Sequence, residues 1–256
     1  MRAQRLPVGA VLLALACAGC GLFNRLADHL PPTTAEDLLH SLASRRVALQ
    51  SLRARARVRN GLASLWVHEA VIVQRPRSLR IDVLSPFGLA MALGTDGAVL
   101  WAYPPQDGVR YEGPASPANL ARVLGAAIAV DDLIDVLCGL PPARTAVGAP
   151  TLDTTPGREY RLTLPLADGM QRLWFRGDPL LLVRAEEARA DQPALQVAFT
   201  EHEDGFPRII EVLVPATGAT VTLRYDQIEA NATVDPTVFA PPPAPTVRPL
   251  PTGAPG

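Results

Sequence analysis

The sequence predicts an α+β fold: a large curved antiparallel sheet of about ten or eleven strands, preceded by an N-terminal helix and interrupted by a two-helix insertion that could cover its concave face. Three observations support this prediction. Apolar and polar residues alternate with a period of two over many short segments, as in strands with one buried face. Asn-Gly and Asp-Gly turn pairs separate these segments. Two other stretches have helical spacing and helix-capping residues.

The N-terminal helix is predicted from its cap and from its apolar spacing. Thr33 and Glu36 form a capping-box pattern, in which a hydroxyl is followed three residues later by an acid. Leu38, Leu42 and Leu49 repeat at helical spacing. We therefore expect an amphipathic helix that lies against an apolar surface.

The first strand has the clearest alternation in the chain. Its apolar positions alternate with four arginines: Leu52, Ala54, Ala56 and Val58 against Arg53, Arg55, Arg57 and Arg59. The arginine face is expected to lie in solvent, or to attract anionic lipid head groups or an acidic partner. Further strands are predicted at residues 65–73, 79–84, 89–93, 99–103, 160–164, 171–175, 181–185, 195–199, 209–214 and 220–225.

The helical insertion is predicted between residues 103 and 160. Ser116 caps a first short helix that begins with Pro117, and Asp131 caps a second helix. The second helix is apolar over a broad face, through Leu133, Ile134, Val136 and Leu137.

A curved sheet that is covered by helices encloses space, so an apolar cavity is one expectation. Its candidate lining consists of the four apolar residues of the second helix together with Trp66, Trp101 and Trp174 on strands. A core filled by side chains is equally compatible with the same pattern.

Residues 1–19 have the features of a secretory signal: a positive start, an apolar stretch too short to span a membrane, and small residues at its end. Ala18-Gly19-Cys20 resembles a bacterial lipobox, in which the cysteine is lipidated and becomes the new N-terminus. Cys17 is the competing lipidation site. Gly21 rather than an acidic residue follows Cys20, which favours the periplasmic face of the outer membrane over retention at the inner membrane.

The rest of the chain divides into three parts. Residues 20–33 are a lipidated tether, residues 34–235 form one folded domain, and residues 236–256 are a tail. Eight of the 26 prolines fall in this tail, and proline is excluded from helix interiors and central strands. The tail is therefore predicted to be disordered or extended as polyproline II, as a spacer or a ligand for a partner.

Composition and motifs exclude several classes of protein. The net charge of −1 argues against a nucleic-acid-binding protein, and the absence of lysine excludes Schiff-base and P-loop chemistry. No nucleophile elbow is present, and the histidines lack metal-ligand spacing. We therefore expect no cofactor, no metal and no catalytic activity. Cys138, on the apolar second helix, is expected to be a buried, inert thiol.

One predicted turn has an unusual composition. Pro86 and Gly88 mark a tight turn between two strands, yet the large aromatic Phe87 lies between them and Leu89 follows. Phe87 either folds back onto the core or protrudes as an apolar tip that contacts a membrane or a lipid.

Two segments carry a family resemblance. Residues 79–88, LRIDVLSPFG, form a strand and a Pro-x-Gly loop, and residues 128–142, IAVDDLIDVLCGLPP, form a helix that ends in Gly-Leu-Pro. In order and separation they resemble the LolB family of outer-membrane lipoprotein receptors, and the resemblance covers residues 34–230. The sequence departs from the family at Phe87, where Leu is usual, and in its longer proline-rich tail.

The resemblance implies an incomplete antiparallel β-barrel, or half-barrel, with a helical lid that encloses an apolar cavity for acyl chains. It also implies that the protein accepts lipoproteins or lipids from a soluble periplasmic carrier and helps to insert them into the outer membrane, with Phe87 as the protruding loop residue. We expect a monomer. The alternative is a non-catalytic structural or interaction lipoprotein of the cell envelope with a filled core.

Overall fold

The computed structural model describes residues 30–61, 65–190 and 192–250. These residues include three α-helices: α1 (Ala35–Ala48), α2 (Pro117–Leu124) and α3 (Val130–Leu137). They also include fourteen strands: β1 (Ser51–Asn60), β2 (Val67–Gln74), β3 (Ser78–Ser85), β4 (Gly88–Thr95), β5 (Val99–Tyr103), β6 (Val109–Pro114), β7 (Thr151–Thr154), β8 (Tyr160–Leu166), β9 (Gly169–Arg176), β10 (Leu181–Arg189), β11 (Gln192–Glu203), β12 (Phe206–Val214), β13 (Ala219–Ala230) and β14 (Thr246–Pro249). No helix in these ranges has both the length and the apolar character needed to cross a membrane.

All the described strands belong to one open sheet. Their order across the sheet is β14-β6-β5-β4-β3-β2-β1-β13-β12-β11-β10-β9-β8-β7. Every neighbouring pair is antiparallel except β14 and β6, which are parallel. The predicted open, barrel-like α+β fold is confirmed, but the described sheet has fourteen strands instead of the ten or eleven predicted.

The strands that the sequence did not reveal are β6, β7 and β14, which lie at or next to the edges of the sheet. The residues of β7 and β14 are almost all exposed, and those of β6 are half-buried without alternation. A strand that buries neither face fully lacks the period-two pattern by which the other strands were recognised.

Buried and exposed residues alternate along the strands, and this gives the sheet an inner face, where the core lies, and an outer face. In β1, Leu52, Ala54 and Ala56 are buried on the inner face, whereas the arginines between them lie on the outer face. There the guanidinium group of Arg57 donates through two N–H groups to the Asp226 carboxylate of β13, at 2.7 and 3.1 Å. The predicted basic face is therefore an outer face that is partly neutralised by neighbouring acids.

The segment between β6 and β7 crosses the inner face. β6 lies beside one edge strand and β7 forms the opposite edge, so the connecting residues 115–150 run from one side of the sheet to the other. This connection contains α2 and α3, which bury Leu120, Ile134 and Leu137 in the same core as the inner-face residues of β1. The topology thus explains why the predicted insertion covers the sheet.

α1 closes one end of the inner face. Its cap lies one residue later than predicted: the Thr34 hydroxyl accepts from the Asp37 N–H (3.1 Å), and the Asp37 carboxylate accepts from the Thr34 N–H (2.9 Å). Two leucines of its apolar side are buried. The Arg45 guanidinium donates to the Gly205 carbonyl in the β11–β12 turn (3.0 Å), at the end of the sheet opposite to the β1–β2 and β3–β4 turns.

The predicted disorder of the tail is wrong for most of its length. The Trp101 indole N–H donates to the Phe239 carbonyl (2.9 Å), the Arg110 guanidinium donates to the Pro242 carbonyl, and β14 pairs with β6. Proline lacks the N–H but keeps the carbonyl, so donors on the outer face can hold a proline-rich segment, and such a segment can join a sheet at its edge. Residues 251–256 lie outside the described residues.

Candidate functional site: the cavity under the helices

An apolar cavity of about 220 Å³ lies between the inner face of the sheet and the insertion helices. Strands β1 to β4, β12 and β13 form its walls, and α2, α3 and the link between them form its cover. Among the described residues that line it, all but Asn60 and Glu69 are apolar. Side chains therefore do not fill the inner face at this place.

α3 presents one helix face to the cavity. Leu133, Val136 and Leu137 line it, as expected for positions i, i+3 and i+4 of a helix. Ile134, the fourth predicted lid residue, is fully buried in the core and is not part of the cavity lining.

Carboxylates on α3 fix this helix to its surroundings. Asp135 is buried and forms ion pairs with Arg46 of α1 (3.1 Å) and Arg75 of the β2–β3 turn (2.8 Å). Asp131 is not the predicted cap, because α3 begins one residue before it; it forms an exposed ion pair with Arg77 (3.1 Å). Ion pairs thus connect α3 both to α1 and to the β2–β3 turn of the sheet.

α2 is fixed at its first turn. The Ser116 hydroxyl accepts from the Asn119 N–H (3.2 Å), as the sequence predicts, and the Asn119 side-chain amide donates to the last carbonyl of β6 (2.8 Å). At the other end of the helix, Val123 and Leu124 line the cavity, and Gly125 ends the helix in the left-handed conformation.

Glu69 places a carboxyl group in the cavity wall. It occupies an inward position of β2, opposite Ala56 of β1 and Val83 of β3. Burial raises the pKa of Glu69 to about 7, because low polarity disfavours the charged form. Near neutral pH the group is therefore divided between its protonated and its ionised form.

The tryptophans predicted as cavity lining lie on the outer face instead. Leu173 of β9 lies in register with the cavity residue Val212 across β10 and β11, so Leu173 is on the inner face. The next residue, Trp174, therefore points to the outer face. Trp101 is buried because the tail covers it, and Trp66 precedes β2 on the outer side. All three rings have an arginine guanidinium 3.8 to 6.0 Å from the ring centroid. Neighbouring residues of a strand face opposite sides of the sheet. The presence of a tryptophan on a strand therefore does not show that its ring lines the cavity.

An apolar rim lies at the end of the sheet where the β1–β2 and β3–β4 turns meet. It consists of Leu65, Trp66, Val67, Leu84, Phe87 and Leu89, all of them exposed by more than a third. The two turns are adjacent because β2 pairs with β3. The cavity residues Val58 and Asn60 end β1 at this same side, so the rim borders the cavity.

Phe87 protrudes from the rim, and its side chain is 100% exposed. The turn is held by its own atoms: the Ser85 hydroxyl accepts from the Phe87 N–H (3.2 Å) and donates to the Gly88 carbonyl (3.0 Å). Gly88 has a φ of +116°, which residues with a side chain disfavour. Together with Pro86 and the exposed Leu89, this geometry holds Phe87 away from the core.

The remaining candidates bear on chemistry and on anchoring. In the ranges that the structure describes, no group of three or more His, Cys, Asp and Glu residues is arranged to hold a metal ion. Cys138 is buried next to α3, and burial raises the pKa of its thiol to about 11, so it is un-ionised at neutral pH.

Cys20 and Cys17, with the predicted signal, lie outside the described residues.

An open antiparallel sheet with helices across its inner face and an apolar cavity between them defines a barrel-like α+β class of protein with an interior site. No protein-family model matches the sequence, and a search of curated proteins gives no match either. Solved structures do match. A DUF1329 family protein from Desulfovibrio piger is 15% identical with a TM-score of 0.56, over 80% of this chain and 95% of that chain.

Two further structures carry names that bear on the fold. A putative outer membrane lipoprotein-sorting protein domain from Vibrio parahaemolyticus is 12% identical with a TM-score of 0.52, over 80% of this chain and 97% of that chain. A LolA superfamily protein from Nitrosomonas europaea is 14% identical with a TM-score of 0.55, over 82% and 99%. At these identities the likeness shows the fold alone. The chain therefore has a LolA/LolB-like fold, as the resemblance in its sequence implies.

Proposed function

We propose that the protein is a lipid-anchored receptor of the bacterial outer membrane that binds acyl chains in its cavity and helps to insert lipoproteins or lipids into that membrane. The lipidated Cys20 anchors it at the periplasmic face, and a soluble periplasmic carrier delivers the cargo. The apolar cavity under the helices is the observation on which this proposal depends. The process needs no catalytic residue and no cofactor, and one copy of the chain suffices.

The cavity wall has the chemistry that an acyl chain requires. Transfer of a chain from water to an apolar wall gains about 25 cal/mol per Å² and needs no directional bonds. Walls of Val, Leu, Ile and Met therefore suffice to hold it. The likeness to a lipoprotein-sorting protein domain and to a LolA superfamily protein supports the same class of ligand.

The cavity has to enlarge to hold a whole acyl chain. Its volume of about 220 Å³ is below the ~300–1,000 Å³ that is common for small-molecule sites. Ion pairs of Asp135 hold α3, whereas α2 is fixed at its first turn and ends at Gly125. In this proposal the far end of α2, with the cavity residues Val123 and Leu124, moves outward to admit cargo.

The apolar rim is the contact with the membrane in this proposal. Phe87 is its fully exposed tip, and the guanidinium group of Arg59 lies 5.0 Å from the Trp66 ring. Anionic head groups attract such cations. Docking of the rim on a bilayer brings the cavity next to the membrane into which the acyl chains pass.

Replacing Phe87 with Glu should slow delivery to membranes while leaving acyl-chain binding unchanged. Burial of a Phe side chain contributes about 1.5–3 kcal/mol, so the variant should bind vesicles about ten- to a hundredfold more weakly. The measurement is transfer of a fluorescent triacylated lipopeptide from the preloaded full-length protein to vesicles that contain anionic phospholipid.

Val47→Glu is the matched control for this experiment. Val47 is also an exposed apolar residue, but it lies on α1 at the opposite end of the sheet. The control should transfer lipopeptide as the wild type does. Equal transfer by wild type and Phe87→Glu would contradict the role of the rim, and a wild type that does not load lipopeptide would contradict the proposed function.

A further inference from the structure

Glu69 is the only ionisable side chain among the described residues that line the cavity. The part of the chain that the structure describes gives its carboxyl group no hydrogen bond and no ion pair, and burial alone shifts its pKa. A carboxyl group in apolar surroundings is unfavourable unless a partner satisfies it. When the cavity is occupied, the ligand is the available partner.

Glu69 lies at the end of the cavity that borders the apolar rim. Val67, two residues earlier in β2, belongs to the exposed rim, and two residues of a strand span about 7 Å. Ile81 and Leu93, further along the wall, are aliphatic and buried. A ligand whose chain lies along Ile81 and Leu93 and whose polar linkage faces the exposed rim places that linkage beside Glu69.

The titratable groups that face Glu69 from neighbouring elements either already form a hydrogen bond with another residue or are uncharged at neutral pH. Tyr225 of β13 lies in register across Ala56, and its hydroxyl donates to the Leu137 carbonyl (2.7 Å). Burial raises the pKa of Tyr225 well above its usual value, and the nearby Cys138 is an un-ionised thiol. Strands β1 and β3 face Glu69 with alanine and valine, and α2 and α3 contribute valines and leucines to the lining.

We propose that Glu69 makes the cavity selective for long-chain ligands whose polar end donates an N–H group, as an alkylamine or an amide does, over fatty acids that end in a carboxylate. The inference rests on the proposed function, because it takes the occupant to be an acyl chain. An N–H donor gives the carboxyl group the hydrogen bond that the described residues do not supply. A carboxylate ligand instead brings a second negative charge into the same apolar space.

Three dodecyl compounds of equal chain length test this selectivity: dodecylamine, N-dodecylacetamide and dodecanoate. Each displaces the neutral fluorescent probe N-phenyl-1-naphthylamine from the full-length protein. At about pH 8 the wild type should bind the amine at least tenfold more tightly than the carboxylate, with the amide between them. At about pH 5, below the pKa of Glu69 of about 7, the carboxyl group is protonated and the preference should shrink.

Two variants assign the effect to this residue. Glu69→Gln should remove the preference at about pH 8. Glu211→Gln removes the same charge from an exposed position of β12 and should keep the preference. Equal binding of amine and carboxylate by the wild type, or a preference that Glu69→Gln retains, would overturn the inference. The pH comparison of the amine with the amide uses only the wild type, and neither compound titrates between about pH 5 and about pH 8, so it decides the matter if the variant does not fold.

The result also separates this inference from the proposed function. Saturable binding of all three compounds without selectivity would refute the role of Glu69 and leave the proposed function standing. Displacement by none of the compounds would refute acyl-chain binding and the inference with it.

Discussion

Replacing Ala126 with Trp should weaken the binding of acyl chains about a hundredfold. Ala126 lines the cavity in the link between α2 and α3, so the indole ring would take up much of a volume of about 220 Å³. Each methylene group kept out of the cavity forfeits about 0.8 kcal/mol. Exclusion of about three or four of them corresponds to a loss of about a hundredfold in affinity. Displacement of N-phenyl-1-naphthylamine by dodecylamine measures this loss.

Ala127→Trp is the matched control. Ala127 is the next residue in the same link, but it is exposed and does not line the cavity. This variant should bind dodecylamine as the wild type does. If Ala126→Trp retains wild-type affinity and an unchanged unfolding midpoint, the acyl chain does not bind in the cavity under the helices.

Replacing Asp135 with Ala should lower the free energy of unfolding by about 3–5 kcal/mol. The Asp135 carboxylate, with a side chain 5% exposed, pairs with Arg46 and Arg75 and accepts the Ala143 N–H (3.0 Å). The substitution leaves two largely buried guanidinium groups and one amide without this acceptor. Urea denaturation followed by tryptophan fluorescence measures the change.

Asp131→Ala provides the comparison for this result. Asp131 is on the same helix, but its ion pair with Arg77 is exposed, with side chains 54% and 58% accessible. Exposed pairs contribute about 0–1 kcal/mol. Equal destabilisation by the two substitutions would contradict the account in which Asp135 fixes α3 while α2 moves.

Alternation and capping predicted most of the fold, because these signals arise from the burial of one face. β1 is an example, with Leu52 and Ala54 inside and arginines between them. The signal is lost where burial is lost, as at Thr151–Thr154 and Thr246–Pro249 on the edges of the sheet. The order of strands and the pairing of β1 with β13 depend on contacts distant in sequence, which local patterns do not contain.

The candidate site was only partly predictable. Helical spacing predicts the cavity lining by Leu133, Val136 and Leu137. Residue type alone does not predict it for the tryptophans, which lie on the outer face. Glu69 was missed, although Val67 and Val71 on either side mark its position in β2 as inward. The cavity itself depends on how far the sheet curves beneath the helices, which is a property of the backbone that side-chain patterns do not specify.

Photocrosslinking can locate a bound acyl chain between the helices and the inner face of the sheet. The full-length protein is irradiated with a long-chain amine that carries a diazirine at the end of its chain, and labelled residues are identified by mass spectrometry. We expect labelling around the cavity residues Leu93, Leu133 and Ile210, and excess dodecylamine should suppress it. Labelling confined to the outer face around Trp66 or Trp174 would contradict this expectation.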